Sequence, residues 1–347
     1  MSGNSDYGRV ERGARGEQPT VHEIVSMTRN AAEQLVVDLD QAQQLTSNWT
    51  DDPLTNRLVH QALRQCLQTL SATQCWGESN LMPSADLWRI AGGYLAQGPL
   101  QLRSRRKPRG HPGDYELLTR IIQRTSSSQS LGAALDACFL GQAVPLALGN
   151  KIDLITEELL HRCLNAGKKF THIISFGCGP AIELEQLVSL MPRAFQKRLR
   201  LTLVDVDPGA LVSAQHRLRK TLSNKQIETH CENLFRLPEP SGPTLSLSPA
   251  DVVISNEMLN YLTDTQAAEM LAFLGGHLSR GGEMLVSNFA AHLPSRAYLE
   301  WIGNWYLNYR DASALSRVAT LAGYDEDRVS VTWEPLGVGL FLKVRKP

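Results

Sequence analysis

The clearest chemical signal lies in Ile173-Ile174-Ser175-Phe176-Gly177-Cys178-Gly179-Pro180-Ala181-Ile182-Glu183, an apolar run that feeds a Gly-x-Gly turn and opens a helix. Gly177 and Gly179 let the backbone approach a ligand where a Cβ would collide. A dinucleotide site wants a third glycine before the helix, and here Ala181 and Ile182 follow Pro180 instead. About 26 residues beyond Gly179 the next apolar run ends in Leu203-Val204-Asp205-Val206-Asp207-Pro208, with Asp205 where an acidic residue grips ribose hydroxyls. A carboxylate suits that task because it accepts both vicinal O–H groups. Asp207 followed by Pro208 reads instead as a helix N-cap with proline at the first helical position. A fourth run delivers Asn256-Glu257-Met258 at its carboxyl end, where open α/β sheets bind ligands.

Two further segments have the composition of a site. Lys107-Pro108-Arg109-Gly110-His111-Pro112-Gly113-Asp114-Tyr115-Glu116 holds two prolines and two glycines, which no helix tolerates. It is expected to cover a site as a lid, with Asp114 capping the helix that follows. Trp301, Trp305 and Tyr309 recur at i, i+4 and i+8 and are expected to pack from one helix face rather than to form a cation cage. Arg310 is a candidate partner for an acceptor carboxylate, or for Asp311 beside it.

These residues need elements to position them. Residues 1–18 have little to bury and read as a disordered tail. Residues 19–100 read as a helical N-terminal domain, with helices from Thr20, over 53–72 and over Ser84–Ala96, the last capped by Ser84 and Asp86. Residues 101–165 read as a helical linker with the lid, and 166–347 as the catalytic domain. There, apolar runs at 171–176, 200–205, 227–230, 250–255, 283–288, 328–333 and 338–345 alternate with helices near 181–191, 208–222, 264–279 and 295–322. Strands alternating with helices imply a doubly wound, mainly parallel sheet. The last two strands are too close for a crossover and must form a terminal antiparallel hairpin.

The 347 residues carry 35 Lys+Arg and 35 Asp+Glu, so no overall basic field marks a nucleic-acid binder. The dense run Arg103, Arg105, Arg106, Lys107, Arg109 reads as a solvated loop. No apolar stretch suits membrane insertion, and no secretory leader is visible. Six scattered cysteines without a CxxC pair argue against zinc and disulfides and for a cytoplasmic setting. No metal is expected. A homodimer through the first two helices is the one protein partnership the pattern suggests.

Ser175 to Ala181 with Asp205, and the strand order they imply, resemble class I S-adenosylmethionine methyltransferases across about residues 165–347. Three blocks are similar to the bacterial enzymes that methylate 3-hydroxy fatty acids to methyl ester signals. They are Gly110 to Glu116, Ser175 to Ala181, and Ser287-Asn288-Phe289 followed by Trp305 and Tyr309-Arg310. The resemblance implies S-adenosylmethionine as cofactor, its methionine portion on the turn formed by Ser175, Gly177, Gly179, Pro180 and Ala181. It implies ribose on Asp205 and adenine beside Glu232 or Asn233, with Val206 and Asn256 also in contact. Asp114, Tyr115, Glu116, Tyr309 and Arg310 are the candidate acceptor contacts.

The acceptor side departs from the ester-forming pattern. Ile254-Ser255-Asn256-Glu257-Met258 is similar to the acidic loop of arginine methyltransferases, in which a strand-end glutamate holds the guanidinium. Glu257 is expected to pair bidentately with a guanidinium and to repel an anionic fatty acid. The expected activity is therefore methylation of a guanidino or amino nitrogen on a small amino acid such as arginine. A carboxyl O-methyltransferase is the runner-up, and a non-catalytic cofactor-binding regulator is the reading from another class.

Overall fold

The computed structural model describes residues 19–45, 53–126, 130–166, 170–239 and 241–347; the expected tail over 1–18 lies outside them. Seven helices come first: α1 (Val21–Leu45), α2 (Pro53–Ser71), α3 (Leu81–Leu95), α4 (Pro99–Arg106), α5 (Tyr115–Ile122), α6 (Ser130–Leu140) and α7 (Ala143–Asn165). α1 and α2 pack together, burying Ala31, Leu35 and Leu39 with Val59, Leu63 and Leu70. Their apolar residues recur at helical spacing, so one face of each is left for burial.

α3 begins one turn before its expected start, with Asn80 as N-cap. Ser84 is no cap: it is buried inside the helix, and its Oγ donates to the Trp301 carbonyl at 3.1 Å. The basic run departs from its expected solvated loop as well. Arg103 to Arg106 close α4, and Lys107 ends it in a left-handed conformation. The Arg105 guanidinium lies 4.8 Å from the Trp88 ring, and its Nη1 donates to Ser84 Oγ at 2.9 Å.

The second half carries a seven-stranded sheet. Its strands are β1 (Thr171–Phe176), β2 (Leu199–Asp205), β3 (Ile227–Cys231), β4 (Ala250–Ser255), β5 (Leu278–Phe289), β6 (Val329–Trp333) and β7 (Gly339–Arg345). The order is β3-β2-β1-β4-β5-β7-β6. The first five are parallel, and β7 runs antiparallel between β5 and β6. This is the expected doubly wound sheet with its terminal antiparallel hairpin. The remaining helices are α8 (Ile182–Leu190), α9 (Arg193–Gln196), α10 (Pro208–Leu218), α11 (Asp264–Gly276) and α12 (Ala312–Leu321).

Strand side chains alternate between faces, and two cores follow. Ile174, Phe176, Val204 and Val286 pack with α11 and α12, whereas Ile173, Leu203, Ile254 and Leu285 pack with α7, α8 and α10. A third core joins the N-terminal helices to Phe289, Trp301, Trp305 and Val338 of the sheet half.

The expected helix over 295–322 breaks. A π-helical turn at Tyr298–Ile302 gives way at Gly303 and Asn304, the latter at φ +50. The chain then runs beside the end of β5, where Arg310 N–H donates to the Phe289 carbonyl at 3.1 Å. Trp301, Trp305 and Tyr309 thus share no helix face, although both tryptophans are buried as expected. Among the described residues no single helix is long and apolar enough to cross a membrane, and all six cysteines are free thiols.

Candidate functional site

β1 and β4 are neighbours whose connections leave toward opposite sides, to β2 and to β5, so a crevice opens at their carboxyl ends. A cavity of about 900 Å³ occupies it. The turn after β1 forms one wall, with Gly177 at φ +67 and Gly179 at φ +48. Only glycine adopts these angles without strain. Ala181, which replaces the third glycine, is also left-handed at φ +50 and starts α8. Asp205 braces this wall: Gly179 N–H donates to its Oδ2 at 2.8 Å and Asp207 N–H to its Oδ1 at 2.9 Å. Burial raises the Asp205 carboxyl above its ordinary range, opposed by those two N–H donors. Asp207 caps α10 as expected, accepting from Gly209 N–H at 2.8 Å.

The 107–116 loop forms the roof, fastened by two arginines. Arg103 pairs with Asp114 at 2.9 Å and Glu116 at 3.0 Å. Arg109 pairs with Glu116 at 2.7 Å, donates to Tyr115 Oη at 3.0 Å and reaches Asp207, the N-cap of α10, at 3.2 Å. The Arg109 guanidinium beside Glu116 holds that carboxyl below its ordinary range. At the tip, Gly113 has φ +67, and a Cβ there would lie 2.8 Å from Trp305 Cζ2. Trp305 Nε1 donates to Tyr261 Oη at 3.0 Å, and both rings line the cavity. Burial raises the Tyr261 phenol well above its usual range, so it stays an O–H donor.

Glu257 follows β4 and faces the same cavity. Lys151 of α7 donates to its Oε1 at 2.5 Å, and Asn260 Nδ2 donates to its Oε2 at 3.1 Å. The Lys151 side chain has no exposed surface, and its Nζ sits 4.4 Å from the Phe289 ring centre. Burial pushes the Glu257 carboxyl up and the Lys151 ammonium down, and their mutual attraction opposes both shifts. The expected bidentate grip on a guanidinium loses the free negative charge it relied on, because Lys151 pairs with Glu257, although each carboxylate oxygen keeps a lone pair beside its one internal donor.

Of the residues singled out in the sequence, Gly177, Gly179, Asp205, Val206, Asn233, Tyr115, Glu116 and Glu257 reach the cavity wall. Others do not, each for an observable reason. Ser175, Pro180 and Ala181 are buried behind the glycine turn. Glu232 meets the site through its backbone, its N–H donating to the Asp205 carbonyl at 3.0 Å. Asn256 turns inward, where Ser287 Oγ donates to its Oδ1 at 3.0 Å. Asp114 is buried and caps α5 as expected, accepting from Glu116 and Leu117 N–H. Tyr309 packs under the Arg296 guanidinium at 5.1 Å. Arg310 is no acceptor contact. It is 3% exposed and bonds to Asp264, Asn288 and the carbonyls of Leu259 and Leu262.

Lys151, Tyr261 and the roof-fastening role of Arg103 and Arg109 were missed in the sequence. Lys151 carried a usable signal, a lone lysine among Ala147, Leu148, Ile152 and Ile155 in a helix otherwise built for burial. Among the described residues no three His, Cys, Asp or Glu side chains converge as a metal site requires.

Residues 174–284 match a family model described as a methyltransferase domain. No curated protein matches the chain. The solved structure of a possible exported protein from Bordetella parapertussis is similar over 96% of this chain and 100% of its own, at 16% identity and TM-score 0.55. That of the CurJ carbon methyltransferase is similar over 93% of this chain and 92% of its own, at 12% identity and TM-score 0.50. At such identities these two likenesses speak for the fold alone.

Proposed function

We propose that this chain, a class I S-adenosylmethionine-dependent methyltransferase, methylates an amino nitrogen of a small molecule enclosed beneath the 107–116 loop. One observation carries the reading. A single cavity of about 900 Å³ has the glycine turn and Asp205 at one part of its wall and Glu257, Tyr261 and Trp305 at another, under a fastened roof. That volume lies near the upper end for small-ligand sites, roughly 300–1,000 Å³, and suits a cofactor together with a modest acceptor.

The wall fits the cofactor. Gly177 and Gly179 present bare backbone, and Asp205 has one oxygen on each internal N–H, leaving lone pairs for ribose hydroxyls. Val206 and Asn233 also line the cavity and would flank the adenine. When bound, S-adenosylmethionine supplies an electrophilic methyl group on a sulfonium sulfur. The protein's own work is then proximity, orientation and exclusion of water. Glu257 would accept an N–H from the acceptor, turn the nitrogen lone pair away from itself, and take up the proton that nitrogen must shed. Tyr261 offers an O–H to a neighbouring oxygen.

An ester-forming reaction, to which the Gly110–Glu116 block points, would place an anionic acceptor against the Glu257 carboxylate. Steady-state turnover of Glu257→Gln separates the two chemistries. On an amine acceptor it should fall by about two decades or more, with S-adenosylhomocysteine affinity unchanged. Wild-type turnover confined to 3-hydroxy fatty acids, undiminished in the variant, would overturn the amine reading.

A further inference from the structure

A cavity wall that ends in a carboxylate ordinarily selects cations. Here the carboxylate is tied to a lysine that has no exposed surface and contributes nothing else to the cavity. Whether the proton sits on Lys151 or on Glu257, the pair sums to zero. Lys151 is held from three sides: Glu257 Oε1 at 2.5 Å, the Asn256 carbonyl at 3.3 Å, and the Phe289 ring at 4.4 Å. A surface lysine could be exchanged for water, but a buried ammonium must keep its partner.

We propose that Lys151 is a positioning residue that cancels the charge of Glu257, so that the acceptor wall admits an uncharged hydrogen-bond donor and disfavours a cation. The inference rests on the reading of Glu257 as the acceptor wall and refines its substrate class. It has a chemical rationale. An isolated carboxylate would keep an amine protonated, and an ammonium has no lone pair with which to attack a methyl group. A neutral pair can accept an N–H without imposing that proton.

Three other titratable groups face the pair. Glu334 lies toward Lys151 from the turn between β6 and β7, and its carboxylate accepts hydrogen bonds from Asn150 and from the N–H groups of Leu336, Val338 and Gly339. Glu183 faces Glu257 from the first turn of α8, its carboxyl pushed up to about 7 by burial. Tyr261 stands on the same turn as Glu257 and keeps its proton.

Methylguanidinium and methylurea are isosteric probes, one charged and one neutral, and calorimetry can compare them on the S-adenosylhomocysteine complex. The wild type should bind methylurea at least as tightly as methylguanidinium. Lys151→Met should reverse that order by roughly tenfold at pH 8, and the reversal should fade toward acid as the unpaired Glu257 takes a proton. Lys151→Arg, which restores the cation, should return the wild-type order. Should Lys151→Met not fold, Glu257→Gln supplies the mirror test and should favour acetate over acetamide. Unchanged order in variants that still bind S-adenosylhomocysteine, including no binding of either probe, overturns the proposal. Failure of the wild type itself to bind S-adenosylhomocysteine would sink the methyltransferase site instead.

Discussion

Asp205 joins the two halves of the proposed cofactor wall, since its oxygens accept N–H groups from Gly179 after β1 and from Asp207 after β2. Asp205→Ala removes both braces along with the proposed ribose contact. It should weaken S-adenosylhomocysteine binding by about 1.5–3 kcal/mol; wild-type affinity in a folded variant would remove Asp205 from the ribose role. Glu183 gives a pH prediction with a definite sign. Burial raises its folded carboxyl from 4.5 to about 7, so the folded state prefers it protonated. Its stability contribution is therefore intact below pH 4.5 and is lost as pH rises toward about 7. Chemical denaturation should show Glu183→Gln gaining on the wild type through that window, by up to about 3 kcal/mol at pH 8. A gap that does not change with pH would contradict the burial argument. At this scale the sequence was most readable where backbone chemistry decides, at Gly177, Gly179, Asp207 and Asp114. It was least readable where partners are distant, since nothing near Glu257 announces Lys151, 106 residues away.

The 107–116 loop closes the cavity over the glycine turn and Glu257. Its prolines and glycines exclude a helix, and so the loop could be read from sequence; its fastenings could not, because Arg103 and Arg109 gain meaning only once Asp114, Glu116 and Asp207 surround them. The broken helix after β5 was hidden for a related reason. Its 3.6-residue periodicity is real, but Asn304 leaves the helical region and Arg310 pairs with the end of β5 instead. Two expectations belong here. Protease should cut within Gly110–Tyr115 in the free protein and be blocked once cofactor and acceptor are bound; equal cutting in both states would leave the loop a simple connector. Gly113→Ala must strain its φ of +67 and push against Trp305. It should lose that protection while leaving the melting temperature within a few degrees; full protection would show that the Gly113–Trp305 contact does not close the roof.

At the scale of the whole chain, the alternation of apolar runs and helices foretold the sheet, because strand burial on two faces is a local pattern. The way the N-terminal helices attach was not foretold. Phe289, Trp301, Trp305 and Val338 of the sheet half complete the helical core, and Ser84 and Arg105 bond to the segment that carries Trp301. One shared core predicts one cooperative unfolding transition, coincident by far- and near-ultraviolet circular dichroism. Trp301→Ala should lower its midpoint in both signals together, at a cost of about 3–5 kcal/mol; two separated transitions would mean the halves unfold apart. Methyl transfer to a small enclosed amine can be followed with a labelled methyl group. Purified protein should be incubated with methyl-labelled S-adenosylmethionine and a panel of amino acids, amines and 3-hydroxy fatty acids, and the products then treated with base. Label is expected on a small amine in a base-stable N–CH₃ bond, and it should be lost in Glu257→Gln. Label carried only by fatty acids and released by base as methanol would contradict the amine reading.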